Sequence, residues 1–204
     1  MAYIPQSVKE LFSTWFDPVM DGNCGFRVFA SIVYGDQESY SQIRADLLDH
    51  VLTGWHFGFE TVYGAYNQTR EQVERRLASP HGSCGNDHWM WDADLFGFAS
   101  MYNCVIVVYA STRRPVHLHT YGSTYLPISC DGPVQRLDAT IELVCTGNHW
   151  VQIQLAEENG VRPLSDLSEV NMMVQGVERM TLWETLYGAE RALFVRRGGH
   201  HPPL

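Results

Sequence analysis

The residues most able to do chemistry stand close together in "DGNCGFRVFASIVYG", residues 21–35. Cys24 follows Asp-Gly-Asn directly and precedes an amphipathic run. Four roles suit such a cysteine: filling space, holding a metal, bridging to another cysteine, or attacking a substrate. Val28, Phe29, Ile32 and Val33 recur at helical spacing and Gly35 is a C-terminal stop, so a helix is expected to start at Cys24. The unpaired backbone N–H groups and positive dipole end of that first turn favour thiolate over thiol. The Gly22-Asn23-Cys24 loop could also aim backbone N–H groups at a developing oxyanion. Gly22 permits the sharp turn and close substrate approach. A buried, inert cysteine at a helix start is the competing reading.

A thiol nucleophile needs a base, and of nine histidines His149 has the most telling context. It opens "HWVQIQL" after Thr146-Gly147-Asn148, a turn triplet that reads as a tight hairpin. Alternation puts His149, Val151, Ile153 and Leu155 on one strand face, expected to pack on the helices near Cys24. A structural histidine is the alternative. His81, Cys84 and His88 have spacings a zinc site could use, with Asp87 or Asp92 as a fourth ligand, but the stretch reads better as a polar loop. No metal is expected. His117 and His119 read as a solvated strand edge. Trp89 and Trp91 suit a peptide groove, with core packing as the competing role.

The elements that must position these groups follow from pattern. "SVKELFSTWF" (7–16) is expected to be a short helix. Others are expected in "SQIRADLLDHVL", "REQVERRL" and "DADLFGFASMY". Beyond Tyr102 the texture turns to strands: "CVIVVYA", "PVHLHTY", "TIELVC" and "HWVQIQL". Helices followed by a largely antiparallel sheet give an α+β fold. The acidic stretch "AEENGVRPLSDLSEVN" reads as a connector. Beyond it, Thr181 to Glu184 has a capping-box pattern opening a helix with Trp183, Leu186, Tyr187 and Phe194, expected to dock on the domain.

Composition narrows the class. The chain has 204 residues, enough for one sizeable core, and is 45% hydrophobic and 18% charged. A net charge of −9 argues against a nucleic-acid partner. Five cysteines without a C-x-x-C do not make a disulfide framework, and Cys104 and Cys145 read as small buried hydrophobes. No secretory signal or membrane span is read, so the expectation is an intracellular, cytoplasmic protein, with the nucleus also open, monomeric and without a membrane partner.

"DGNCGFR", a helix-rich middle and a late strand opening with His and an aromatic residue resemble the OTU (ovarian tumour) family of cysteine proteases over roughly residues 15–156. The "CGFR" version, with "WMWDADLFGFASMYNCVIVV" and "YLPIS", is more similar to OTU-like domains of transposable elements. The resemblance implies a papain-like fold, helical layers on a mostly antiparallel sheet. The catalytic domain would span 1–156, followed at 157–204 by the connector, C-terminal helix and flexible tail. It implies a thiol-dependent deubiquitinase of the ubiquitin-conjugation pathway, cutting after the C-terminal glycine of ubiquitin or a ubiquitin-like modifier, with no cofactor. Alternatives are a self-processing cysteine protease of a polyprotein and a catalytically weak ubiquitin-binding domain. By resemblance Cys24 is the nucleophile, His149 the general base and Asp21 an active-site carboxylate, while the Gly22, Asn23 and Cys24 backbone forms the oxyanion hole.

Two positions depart from the pattern. Gly25 stands where many members have Leu, which is expected to weaken one core contact. Val151 stands where many carry Asn or Asp to orient the histidine. That task falls to Asp21, Asp17, Asn148, a main-chain carbonyl, or nothing. The tail "VRRGGHH" (195–201) resembles ubiquitin's own Arg-Gly-Gly end, with self-processing after Gly199 as the sharper reading and a flexible tail as the preferred one.

Overall fold

The computed structural model describes residues 12–78, 82, 84–110, 123–128, 133–157, 161–165, 167 and 169–196. Strand β1 (Phe12–Phe16) is followed by five helices: α1 (Cys24–Tyr34), α2 (Tyr40–Thr53), α3 (Phe59–Ala65), α4 (Arg70–Leu77) and α5 (Asp92–Tyr102). Four strands follow, β2 (Val105–Ala110), β3 (Ser123–Tyr125), β4 (Thr140–Cys145) and β5 (Trp150–Leu155), and then α6 (Glu169–Leu186) and α7 (Gly188–Arg196). The sheet order is β1-β5-β4-β2-β3, with β2 and β4 parallel and every other pair antiparallel. The α+β expectation and the mostly antiparallel sheet hold.

The sheet is buried on both faces, and residue alternation sorts the strands between two cores. Ile106, Val108, Leu143, Cys145 and Trp150 face α1 to α5. Val105, Val107, Tyr109, Val144, Ile153 and Leu155 face Met180, Trp183 and Tyr187 of the C-terminal region. The C-terminal helices therefore dock on the sheet, covering apolar residues that water would otherwise meet. On the first face Phe29 stacks on Phe98, ring centroids 3.8 Å apart, locking α1 to α5. Helix α1 ends as its sequence dictates: Gly35 takes the left-handed conformation at φ 71° and donates its N–H to Ser31.

Three expectations are corrected. Residues 12–16 form a strand rather than the end of a helix, because their backbone pairs with the otherwise open edge of β5; residues 7–11 lie outside the described set. Thr181 caps nothing: α6 runs through it, and its hydroxyl donates back to the Val177 carbonyl. Its one break is at Gly176, φ 73°. The face of β5 carrying Val151, Ile153 and Leu155 packs on the C-terminal helices instead of the helices near Cys24. The "PVHLHTY" strand with His117 and His119, and the tail beyond Arg196, fall outside the described residues.

Candidate functional site

Helix α1 opens on Cys24, which is 4% exposed. Burial pushes its thiol above the ordinary cysteine range, while backbone N–H groups of Trp150 and Gly25 donate to the sulfur and pull the other way. Desolvation is the larger of these effects and runs against the thiolate expected from the helix start. Deprotonation then requires a base.

His149 stands one residue ahead of β5, in the turn between β4 and β5, so the pleat does not set its side chain. The turn closes through Thr146 N–H donating to the His149 carbonyl at 2.9 Å. Gly147 supplies positive φ at 99°, and Asn148 does not share it. His149 is chain neighbour to Trp150, whose N–H reaches the Cys24 sulfur; this sets the His149 backbone one residue from a group that touches Cys24, across 125 residues of chain separation. The ring is buried, with Nε2 at 2.6 Å from Asp17 Oδ1. A carboxylate accepts and cannot donate, so Nε2 carries the proton and Nδ1 of the neutral ring is an acceptor. That Nδ1 is buried and has no hydrogen-bond partner among the described residues.

Asp17 directly follows β1. Phe16 pairs with Gln152, so continuing the register by one residue sets Asp17 opposite Val151. The carboxylate thus comes from the neighbouring strand, facing the position whose own side chain cannot hydrogen-bond. Asn148 is exposed on the cavity rim and is not the partner of His149 Nε2.

Asp21 is engaged elsewhere. Its carboxylate receives Arg27 Nη2 at 2.7 Å and the Asn23 N–H at 2.9 Å; burial pushes its pKa up, but these bonds and the Arg27 charge together outweigh it and hold the pKa below the ordinary carboxylate range. Asp21 therefore fixes the loop before Cys24 rather than the imidazole. The Asn23 N–H is spent on Asp21, which removes it from the expected oxyanion trio and leaves Gly22 and Cys24. Gly22 has φ 88°, and a Cβ there would lie 2.3 Å from the Cys84 carbonyl oxygen, so both the turn and the packing require glycine.

Gly25 does not weaken the core. A Cβ at this position would lie 2.8 Å from Met90 Cβ and 2.6 Å from its terminal methyl; Met90 occupies the space a larger residue would take. Beside Cys24 lies a cavity of about 300 Å³ lined by Trp89, Met90, Trp91, Cys145 and Trp150 among others. Both tryptophans flagged in the sequence border it. Cys104 and Cys145 are buried, and Cys145 also lines the cavity. The Cys84 thiol points to Asn23 Oδ1, while His88 turns towards the Arg76 carbonyl. His81 lies outside the described residues, and among those described no three His, Cys, Asp or Glu side chains form a metal cluster. Nor is any described helix long and apolar enough to cross a membrane.

Pattern reading missed Arg44, Met90 and the backbone of Trp150. Arg44 did carry a signal: it shares a helical face with Tyr40, Ile43, Leu47 and Val51, where a cation is out of place unless it holds something.

No protein-family model matches the sequence, and no curated protein matches it. Solved structures do. The OTU domain of human OTUD1 is similar at 21% identity, covering 69% of this chain and 84% of that one, with a TM-score of 0.50. The Hazara virus OTU bound to ubiquitin is similar at 15% identity, 73% and 84% coverage and a TM-score of 0.51. The viral OTU protease of Qalyub virus is similar at 15% identity, 72% and 86% coverage and a TM-score of 0.51. At these identities the likeness is one of fold. This chain has the OTU fold.

Proposed function

We propose that the chain is a thiol-dependent deubiquitinase, hydrolysing the peptide or isopeptide bond after the C-terminal glycine of ubiquitin or a ubiquitin-like modifier. The observation that carries this reading is the arrangement at His149: Nε2 held by Asp17, and Nδ1 buried and unpartnered one residue from the N–H that touches the Cys24 sulfur. An imidazole committed on one nitrogen and vacant on the other is what a general base beside a thiol requires.

In the proposed sequence, Nδ1 takes the Cys24 proton as the sulfur attacks the glycine carbonyl carbon. The carbonyl electron pair moves to oxygen, where the Cys24 and Gly22 N–H groups stabilise it. Collapse expels the lysine amine, which receives the proton from Nδ1 and leaves a thioester on Cys24. Water, deprotonated by His149, then attacks the thioester, releasing the modifier's carboxylate and restoring the thiol. Asp17 keeps the ring in the tautomer and plane that both transfers need. The cavity wall of Trp89, Met90 and Trp91 offers apolar cover over an extended Gly-Gly tail.

A second reading, a ubiquitin-binding domain of low turnover, is favoured by the upward push that burial gives Cys24. The separating experiment is labelling with a ubiquitin probe bearing a C-terminal electrophile. Adduct on wild type, none on Cys24→Ala and a strongly slowed one on His149→Ala are expected. Tight probe binding without adduct on folded wild type would select the binding domain.

A further inference from the structure

Asn23 immediately precedes the nucleophile and is 1% exposed, yet its side chain does not cap α1. It is fastened elsewhere. Oδ1 accepts from Arg44 Nη1 at 3.1 Å, and Nδ2 donates to the Gly82 carbonyl at 2.8 Å. The backbone is equally committed: the Asn23 N–H goes to Asp21, and its carbonyl accepts the Arg27 N–H at 2.8 Å. Each polar group of the residue has a partner, so the plane of the Asn23–Cys24 peptide is over-determined.

Arg44 sits beneath this arrangement. It is 2% exposed, lies 4.1 Å above the Phe26 ring, and donates to neutral oxygens throughout. Besides Asn23 Oδ1, these are the Arg76 and Leu77 carbonyls at the end of α4 and the His88 carbonyl at 3.0 Å. One planar guanidinium thus ties three separate pieces together: the last turn of α4, the segment leading into the Trp89–Trp91 wall, and the residue before the nucleophile. The fork geometry is needed, because an ammonium cannot reach four acceptors spread in this way.

We propose that Arg44 is a positioning residue: by holding Asn23 Oδ1 it fixes the Asn23–Cys24 peptide so that the Cys24 N–H meets the oxyanion formed at the sulfur. This rests on the reading of Cys24 as a nucleophile towards carbonyl carbon. It predicts that loss of Arg44 impairs tetrahedral adducts while leaving simple displacement at sulfur intact, a division that a merely structural role would not produce.

The test uses the full chain and two small reagents. A short peptide aldehyde ending in Gly-Gly adds Cys24 sulfur across its carbonyl, the thiol proton passing to the oxygen, and so needs the N–H donor. Iodoacetamide alkylates the sulfur by displacing iodide and needs none. Aldehyde affinity is read by protection of Cys24 from iodoacetamide. Arg44→Lys and Asn23→Ala should each weaken the aldehyde about 10- to 100-fold, with iodoacetamide rates within twofold of wild type. The double variant should be no weaker than the worse single one. Independent, multiplicative losses, or equal losses for both reagents, would overturn the proposal. If Arg44→Lys does not fold by thermal melt, Asn23→Ala alone decides, since it severs the same contact and leaves the carbonyl contacts of Arg44 in place. Wild type alkylated at Cys24 but blind to the aldehyde would overturn the nucleophile reading itself, and the positioning role with it.

Discussion

Asp17→Ala is the most informative single change, because the carboxylate that holds His149 comes from a strand the histidine does not belong to. The bond is short, 2.6 Å, and the imidazole is buried, which favours a strong charge-assisted contact. The Asp17 side chain is nevertheless 61% exposed, so water competes for it. A hydrogen bond to a charged group contributes about 1.5–3 kcal/mol. Screening at this exposure brings that to about 1–2 kcal/mol, or a loss of about 5- to 30-fold in kcat/KM. This is far below the ~10⁴-fold cost of altering a buried triad carboxylate. Asp17→Asn keeps an acceptor oxygen in place and should lose less than Asp17→Ala. Because the register sets residue 17 opposite 151, Asp17→Ala with Val151→Asp should recover most of the activity. The assay is hydrolysis of a fluorogenic amide at the ubiquitin C-terminus under kcat/KM conditions, with thermal melts as the folding control. A folded Asp17→Ala that loses less than twofold would refute the orienting role, and failure of Val151→Asp to rescue would refute the cross-strand geometry.

Gly25→Ala should cost about 1–3 kcal/mol by overpacking against Met90, and in thermal melts Gly25→Ala with Met90→Ala should lose less stability than the sum of the two single variants; additive losses would count against the close contact. Asp94 receives both Arg76 Nη atoms at 2.6 and 2.8 Å and the Tyr63 hydroxyl at 2.8 Å, all buried, so Asp94→Ala should destabilise by about 3–5 kcal/mol in urea titrations. Burial pushes Glu142 from the ordinary 4.5 up to about 7, outweighing Arg162 at 2.9 Å. The folded chain then holds this proton more tightly than the unfolded chain, so the group's contribution is greatest below pH 4.5 and is lost as pH rises through 7. Glu142→Gln should accordingly gain on wild type by up to about 3 kcal/mol between pH 4 and 8, and a pH-independent difference in urea titrations would contradict this. In His149→Ala, iodoacetamide alkylation of Cys24 should still be climbing above pH 9, as expected for a thiol that burial pushes up; a plateau near pH 7 would show a thiolate instead.

Much of the site was legible because its signals are local. Cys24 at a helix start, Gly22 where the chain must turn, Gly35 at the helix end and Gly147 at the hairpin all follow from conformational demands within a few residues. The helices at 70–77 and 92–102 follow from short-range patterns in the same way. The readings that failed depend on what packs from a distance. Alternation along β5 correctly separates two faces, but which face meets Cys24 depends on α6 and α7 covering the other one. The upward push on the Cys24 thiol comes from burial, which a motif does not express. Gly25 reads as a missing contact until Met90, 65 residues later, is seen to fill it.

The misread strand and the undecided histidine partner are one problem. Read as the end of a helix, residues 12–16 have no register with anything, so Asp17 is one loop carboxylate among several. Read as a strand on the edge of β5, they acquire a register: Phe16 meets Gln152, and its continuation by one residue sets Asp17 beside Val151, where its carboxylate reaches His149. If Asp17 orients the ring, a carboxylate placed at residue 151, across from it, should be able to serve the same ring nitrogen. What has to be kept is a charge at a point in space, and an antiparallel pair offers two chain positions that supply it. Val151 therefore does not signal a missing partner. It is the apolar half of a cross-strand pair whose polar half lies 134 residues earlier, and exchanging the two halves is the change that tests whether position, rather than sequence spacing, governs the base.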